Sequence, residues 1–346
     1  AGLCVLVFIL VEFIYSLKEK VFPKFLKTSA LLVASLIIAV GVNFAFLYTT
    51  AEYGKYSMRG KSDLVTDSKN ITSGLKKDYI VQWSYGIGET MNLLIPDFKG
   101  GSSHPFDRDS ETYKLLRKNG AASDANSLTK YWGTQMWTEG PVYIGAIVVF
   151  LFILGLILVK GRDKWWLLAA TVMAVMLAWG KNFMPLSDLF IDYFPGYNKF
   201  RSVTFILVIA QFCMPLLGVL ALKELYFSEA PRKNLLKGLV LALSITGGLI
   251  LIFLVIPPLA GSFLSSYEES YPNWLKTVLV SDRKELLRSD AFRSLILIIL
   301  GSGTLFAFLF DKLKKEYSML ILGLLILFDL FAVDKRYLNA DRFVKP

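Results

Sequence analysis

Tyr197, Lys199 and Arg201 lie two apart in the stretch PGYNKFRS, residues 195–202, and the apolar run VTFILVIAQFCMPLLGVLAL follows at once. Cations at the mouth of an apolar helix have two readings. They are anchors whose stems lie along apolar surface with their heads in water, or they supply positive charge to a ligand. A second set of candidates is acidic and aromatic. Glu139 ends the stretch KYWGTQMWTE, in company with Trp132, Gln135 and Trp137, and Glu89, Asp97 and Asp107 precede it in the same long polar segment. Of these carboxylates Glu139 stands out, because it adjoins an apolar run and lies beside aromatics. Trp132 and Trp137 equally suit an aromatic belt at a membrane surface. His104, the single histidine, reads as a loop residue.

These groups are held between long apolar segments. The chain has 346 residues, 54% of them hydrophobic. Apolar runs recur at roughly 1–16, 29–49, 141–159, 165–181, 202–222, 236–256, 294–310 and 317–333. A helix of about twenty apolar residues crosses a hydrocarbon core about 30 Å thick. The sequence therefore predicts an all-α polytopic membrane protein with about eight transmembrane helices. The runs are continuous rather than alternating, which excludes a β-barrel. The net charge of +10 is the excess of Lys and Arg expected beside membrane spans and gives no reason to expect nucleic acid. Cys4 and Cys213 both lie in apolar runs, with no spacing for a disulfide framework or a metal. Gly86-x-Gly88 lacks the third glycine of a nucleotide loop.

Charge sorts the connections. The short ones are basic, through Lys18, Lys20, Lys24 and Lys27; Lys160, Arg162 and Lys164; Lys223, Arg232, Lys233 and Lys237; and Lys312, Lys314 and Lys315. The positive-inside bias puts these in the cytoplasm, and the long segments 50–140, 182–201 and 257–293 outside. The predicted organisation is two helices over 1–49, an outer lobe over 50–140, six helices over 141–333, and the start of an outer C-terminal region over 334–346. MPLSDLFIDYFPGY spaces its apolar residues as an interfacial helix near 183–195, and 273–293 reads as a second. Intramembrane charge is scarce, which argues against an ion-coupled transporter. Asp329, near the outer end of the last span, reads as a structural hydrogen-bond partner. The opening AGLCVLVFIL begins inside an apolar run, and further helices are expected upstream of it.

The stretches QWSYGIGET…LLIPDFKGG, YWGTQMWTEGPVYIGA, PGYNKFRS and DLFAVDKRYLNADRF together resemble the YfhO family of bacterial membrane proteins, from about residue 82 to the end. The resemblance implies a fold like that of the glycosyltransferase C superfamily in the bacterial inner membrane. It implies transfer of a sugar from a polyprenyl-phosphate donor to a cell-envelope glycopolymer or lipid on the outer face, among membrane lipids. The main catalytic carboxylate is then expected upstream of residue 1, with Glu139 the candidate within the chain. Lys199, Arg201 and Tyr197 become candidates for the donor phosphate, and Trp132, Gln135 and Glu139 for sugar or acceptor. No cofactor is assigned with the reaction, a divalent cation is left open, and no residues are assigned to a metal. Two other functions stay in play: a flippase or exporter of lipid-linked glycans, and a non-catalytic scaffold subunit of an envelope complex.

Overall fold

Prolines and glycines set where the helices begin and end. The protein is seen in a computed structural model that describes residues 2–60, 72–121 and 123–339. In chain order its α-helices are α1 (Gly2–Lys18), α2 (Phe22–Val42), α3 (Phe44–Lys55), α4 (Lys77–Ile80), α5 (Glu111–Lys118), α6 (Ala146–Leu158), α7 (Asp163–Ala178), α8 (Met184–Tyr193), α9 (Val208–Phe227), α10 (Arg232–Val255), α11 (Asn273–Leu309) and α12 (Lys315–Tyr337). Among the described residues there is no strand beyond one isolated bridge, Pro105 with Thr129.

Five helical stretches are long and apolar enough to cross a membrane: α2, Val203–Phe227, α10, α11 and α12. The count rises to six if α7 and α8, bent by 111° at the turn between them, form one broken span. This falls short of the eight predicted. The run at 141–159 yields only the 13 residues of α6, about 20 Å of helix at 1.5 Å per residue. Pro141 and the positive φ of Gly145, +110°, hold the chain non-helical until Ala146. α7 has 16 residues and stops at the 3-10 turn Gly180–Phe183, after which Pro185 starts α8 on a new axis. α1 has 17 residues.

The segment 273–310 also departs from expectation. Its surface helix and its span are one continuous α-helix of 37 residues, about 55 Å long. No Gly or Pro interrupts it before Gly301. The charges that suggested a surface helix lie partly on its buried stripe, where Asp282, Arg283 and Asp290 alternate with Leu279, Leu287 and Ala291. Each is buried with a partner, as buried charge requires.

The chain forms two compact units, Ala1–Tyr85 with Lys160–Cys213, and Gly86–Val159 with Met214–Pro346. Of the lobe expected over 50–140, residues up to 85 fall in the first unit and the rest in the second, and 61–71 lie outside the described residues. In the first unit, Leu75, Ile80, Val81, Ile191 and Val203 form a small core. Lys77 of α4 reaches across it to Asp188 and Asp192 of α8, at 2.8 and 3.1 Å. The helix expected near 183–195 is α8, which buries Ser187 and Ile191.

In the second unit α6, α10, α11 and α12 surround an apolar core that includes Ile147, Phe150, Leu154, Leu239, Ile250, Ile298 and Leu305. Asp329 of α12 is 1% exposed and takes up the structural role expected of it. It accepts from the Ala146 backbone N–H at 2.9 Å, from the Tyr143 hydroxyl at 2.7 Å, and pairs with Arg293 at 2.9 Å. It thus satisfies an N–H that α6 leaves unpaired at its start.

Candidate functional site

Residues 86–140 of the second unit are organised by an irregular antiparallel ladder of backbone hydrogen bonds, outside any strand. Trp132 N–H donates to the Lys99 carbonyl at 3.0 Å, Tyr131 N–H to Ser102 at 3.1 Å, and Lys130 N–H to His104 at 3.0 Å. Gly100, at φ +87°, permits the approach, because a Cβ there would run into the Lys130 carbonyl. Ser103 N–H donates to Thr138 O and its hydroxyl accepts from Thr138 N–H, which brings the segment carrying Glu139 alongside.

Arg283 of α11 fastens this ladder. It donates to the carbonyls of Thr129, Lys130 and Phe263 at 2.6, 3.2 and 2.8 Å. A fork of two bonds, 2.7 and 2.8 Å, joins it to Glu268. Both side chains of the pair are fully buried.

Glu139, the catalytic candidate of the sequence, lies beside His104, with Oε2 2.6 Å from Nε2. Its side chain is 57% exposed. It lines a cleft of about 500 Å3 with Pro141, Asp334 and Tyr337. Behind the cleft the Tyr337 hydroxyl donates to Asp97. Arg336 bridges Asp97 at 3.2 Å and Asp290 at 2.8 Å, and Asp97 N–H donates to Asp290 at 3.1 Å. Burial, with Asp290 alongside, pushes the Asp97 carboxyl up to about 6, against the opposing pull of the Tyr337 hydroxyl and the Arg336 guanidinium.

Gln135 bonds a different carboxylate, Glu89, and Trp132 packs on Lys99 and Phe263. Glu89 is 1% exposed. It accepts from the Gly86 N–H, from the Tyr131 hydroxyl at 2.6 Å and from Gln135 Nε2 at 3.2 Å. Lys99 is nearby, its Nζ 3.6 Å from the centre of the Trp132 ring and 2.7 Å from the Ala260 carbonyl. Burial lowers the Lys99 ammonium to about 8, and the charge of Glu89 works in the other direction. Trp132 is 6% exposed and packs on Phe263 at 4.6 Å. Its face is already covered by the lysine, so it is not an open platform for a sugar. Trp137, at 54% exposed, is the tryptophan of this stretch with a free surface.

In the first unit Lys199 and Arg201 go separate ways. The 3-10 turn Tyr197–Lys199 ends at an extended Phe200. The Lys199 ammonium donates to the carbonyls of Arg59, at 3.0 Å, and Ser73. It lines a cleft of about 850 Å3 with Tyr53, Arg59 and Ser73. Arg201 donates to the Tyr79 hydroxyl at 2.6 Å and lies 5.4 and 5.5 Å from the ring centres of Tyr79 and Trp83. It lines another cleft, of about 340 Å3, with Tyr197 and Phe205. Burial raises the Tyr197 hydroxyl to about 12, and among the described residues that hydroxyl is buried without a hydrogen-bond partner. The single three-residue phosphate pocket of the sequence reading is therefore not assembled. Arg201 and Tyr197 share a cleft, while Lys199 serves backbone carbonyls elsewhere.

One chemistry is on view in the second unit: the Glu139–His104 pair can move a proton at an open cleft. The Lys99 ammonium is already engaged by the Ala260 carbonyl and the Trp132 ring. Lys99, Tyr131, Asp290, Arg336 and Tyr337 escaped the sequence reading. Lys99 adjoins the turn Gly100–Gly101, and Arg336–Tyr337 closes the last apolar run; those positions were the available signals. Among the described residues no three His, Cys, Asp or Glu side chains gather to hold a metal ion. No family model, curated protein or solved structure matches this chain.

Proposed function

We propose that this chain is part of a membrane glycosyltransferase that moves a sugar from a polyprenyl-phosphate donor to a hydroxyl of an envelope glycopolymer or lipid. The resemblance to the YfhO family supplies the reaction, and several apolar helices long enough to cross a membrane give a lipid-linked donor a setting. The observation that carries the catalytic part is the Glu139–His104 pair on the rim of a cleft.

In this reading His104 Nε2–H holds Glu139 Oε2, which leaves Oε1 to take the acceptor's proton. General-base help of this kind is worth about 10²–10⁴-fold. The acceptor oxygen forms its bond to the anomeric carbon as the bond from that carbon to the donor phosphate oxygen breaks. The leaving lipid phosphate keeps the electron pair. Such a leaving group calls for fixed cationic donors. Lys199, whose ammonium serves the Arg59 and Ser73 carbonyls in the first unit, is assigned to loop structure.

The test is turnover of a polyprenyl-phosphate sugar by the full-length protein. Glu139→Gln should lower kcat by about a hundredfold or more. Its melting should stay near wild type, because exposed positions usually change stability by about 0.5 kcal/mol or less. Undiminished turnover in Glu139→Gln would remove the assignment of the base. Wild-type protein that turns over no lipid-linked sugar, and exchanges none with its carrier, would remove the reaction itself.

A further inference from the structure

We infer that the groove beside the start of α10 is a binding site for an anionic glycerophospholipid, headgroup on Lys233 and Lys237 and acyl chain between α10 and α11. The groove, of about 760 Å3, is lined along its length by Leu236, Val240, Phe306 and Phe310. Arg232, Lys233 and Lys237 stand at its mouth. An inorganic anion would gain nothing from the apolar floor. A neutral lipid would gain nothing from the cations. An anionic lipid with acyl chains uses both.

The state of the three cations sharpens the assignment. Arg232 is paired with Asp311, on the turn after α11, at 2.6 Å. Lys233 and Lys237 are exposed, and among the described residues neither has a carboxylate within ion-pair distance. They are four apart on one helix, so they share a face and repel each other. The helix start adds partial positive charge of its own. A phosphodiester between the two ammonium groups relieves this repulsion, and Arg232 stays with Asp311 to fix the rim. Basic pockets between membrane helices are the usual setting for anionic headgroups. The site is independent of the glycosyl-transfer reading.

The experiment is native mass spectrometry of the full chain released from detergent, with phosphatidylglycerol or phosphatidylcholine of the same acyl chains. Wild type should retain phosphatidylglycerol at least tenfold better. Each lysine near an anionic headgroup contributes about a fivefold preference, so Lys233→Gln with Lys237→Gln should reduce that retention about 25-fold. Phosphatidylcholine retention and the melting temperature should not move, and the paired Arg replacements should restore phosphatidylglycerol. A control with the same charge change elsewhere, Lys24→Gln with Lys27→Gln, should behave as wild type. The proposal fails if the control loses as much as the test pair, or if the test pair loses nothing. It also fails if phosphatidylcholine is held equally, or if millimolar inorganic phosphate displaces the lipid, which would mark a plain anion site.

Discussion

Arg283 offers the clearest test of how the second unit is held. Its five N–H groups are all engaged: two on Glu268, three on the carbonyls of Thr129, Lys130 and Phe263. Arg283→Met removes all five donors at a site with no solvent exposure. It leaves the Glu268 carboxylate buried with, among the described residues, one remaining donor, the Ser265 N–H at 2.7 Å. Breaking a buried pair by removing one partner costs about 3–5 kcal/mol. The orphaned carbonyls add to this, although such terms are not additive when one network is lost. Arg283→Met with Glu268→Gln removes the stranded charge and should recover about half of the loss. Arg283→Lys keeps the charge but not the planar fork, and should fall between the two.

The assay is thermal unfolding of the full chain in detergent. At about 2–4 °C per kcal/mol for a unit of this size, Arg283→Met should melt about 6–20 °C lower. The same arginine holds the Thr129 and Lys130 carbonyls, and Lys130 N–H is bonded to His104 O. Exchange of the amide hydrogens of residues 130–132 should therefore accelerate with the loss. A melting point within about 2 °C of wild type would refute the reasoning, because a buried charge cannot be stranded at that cost. An unchanged exchange pattern beside a lowered melting point would refute the link from Arg283 to the ladder.

Lys99, lowered to about 8 in the folded state from 10.5, should give stability a pH signature. Between about pH 8 and 10.5 the unfolded chain holds a proton that the folded chain has released, so folding gains as pH rises through that window and loses as it falls. The melting temperature of wild type minus that of Lys99→Met should climb from pH 8 to pH 10, and parallel curves would place the ammonium in solvent. Lys199→Gln should lower melting with turnover nearly kept, because its ammonium serves the Arg59 and Ser73 carbonyls. An unchanged melting point would make Lys199 a solvated anchor.

What the sequence made legible followed from local rules. Long apolar runs give helices wherever nothing interrupts them, and α10 and α12 lie where hydropathy places them, whereas the run expected over 29–49 is divided at Asn43 between α2 and α3. The misreadings occurred where a neighbour decides. Nothing in 273–293 distinguishes a surface helix from the polar half of a longer one, because burial of Arg283 and Asp290 depends on Glu268 and Arg336, 15 and 46 residues away. The same holds at the site. Trp132 and Gln135 look like companions of Glu139 along the chain, yet Gln135 bonds Glu89, 46 residues upstream, and Trp132 packs on Lys99 and Phe263. His104 looked like a loop residue because its partner is 35 positions on. Lys199 and Arg201 show the limit most plainly. A spacing of two predicts a shared face only in extended chain, and Lys199 ends a 3-10 turn. One residue of backbone therefore sends their charges into different clefts, and only one of them is left facing the tyrosine that was expected to join both.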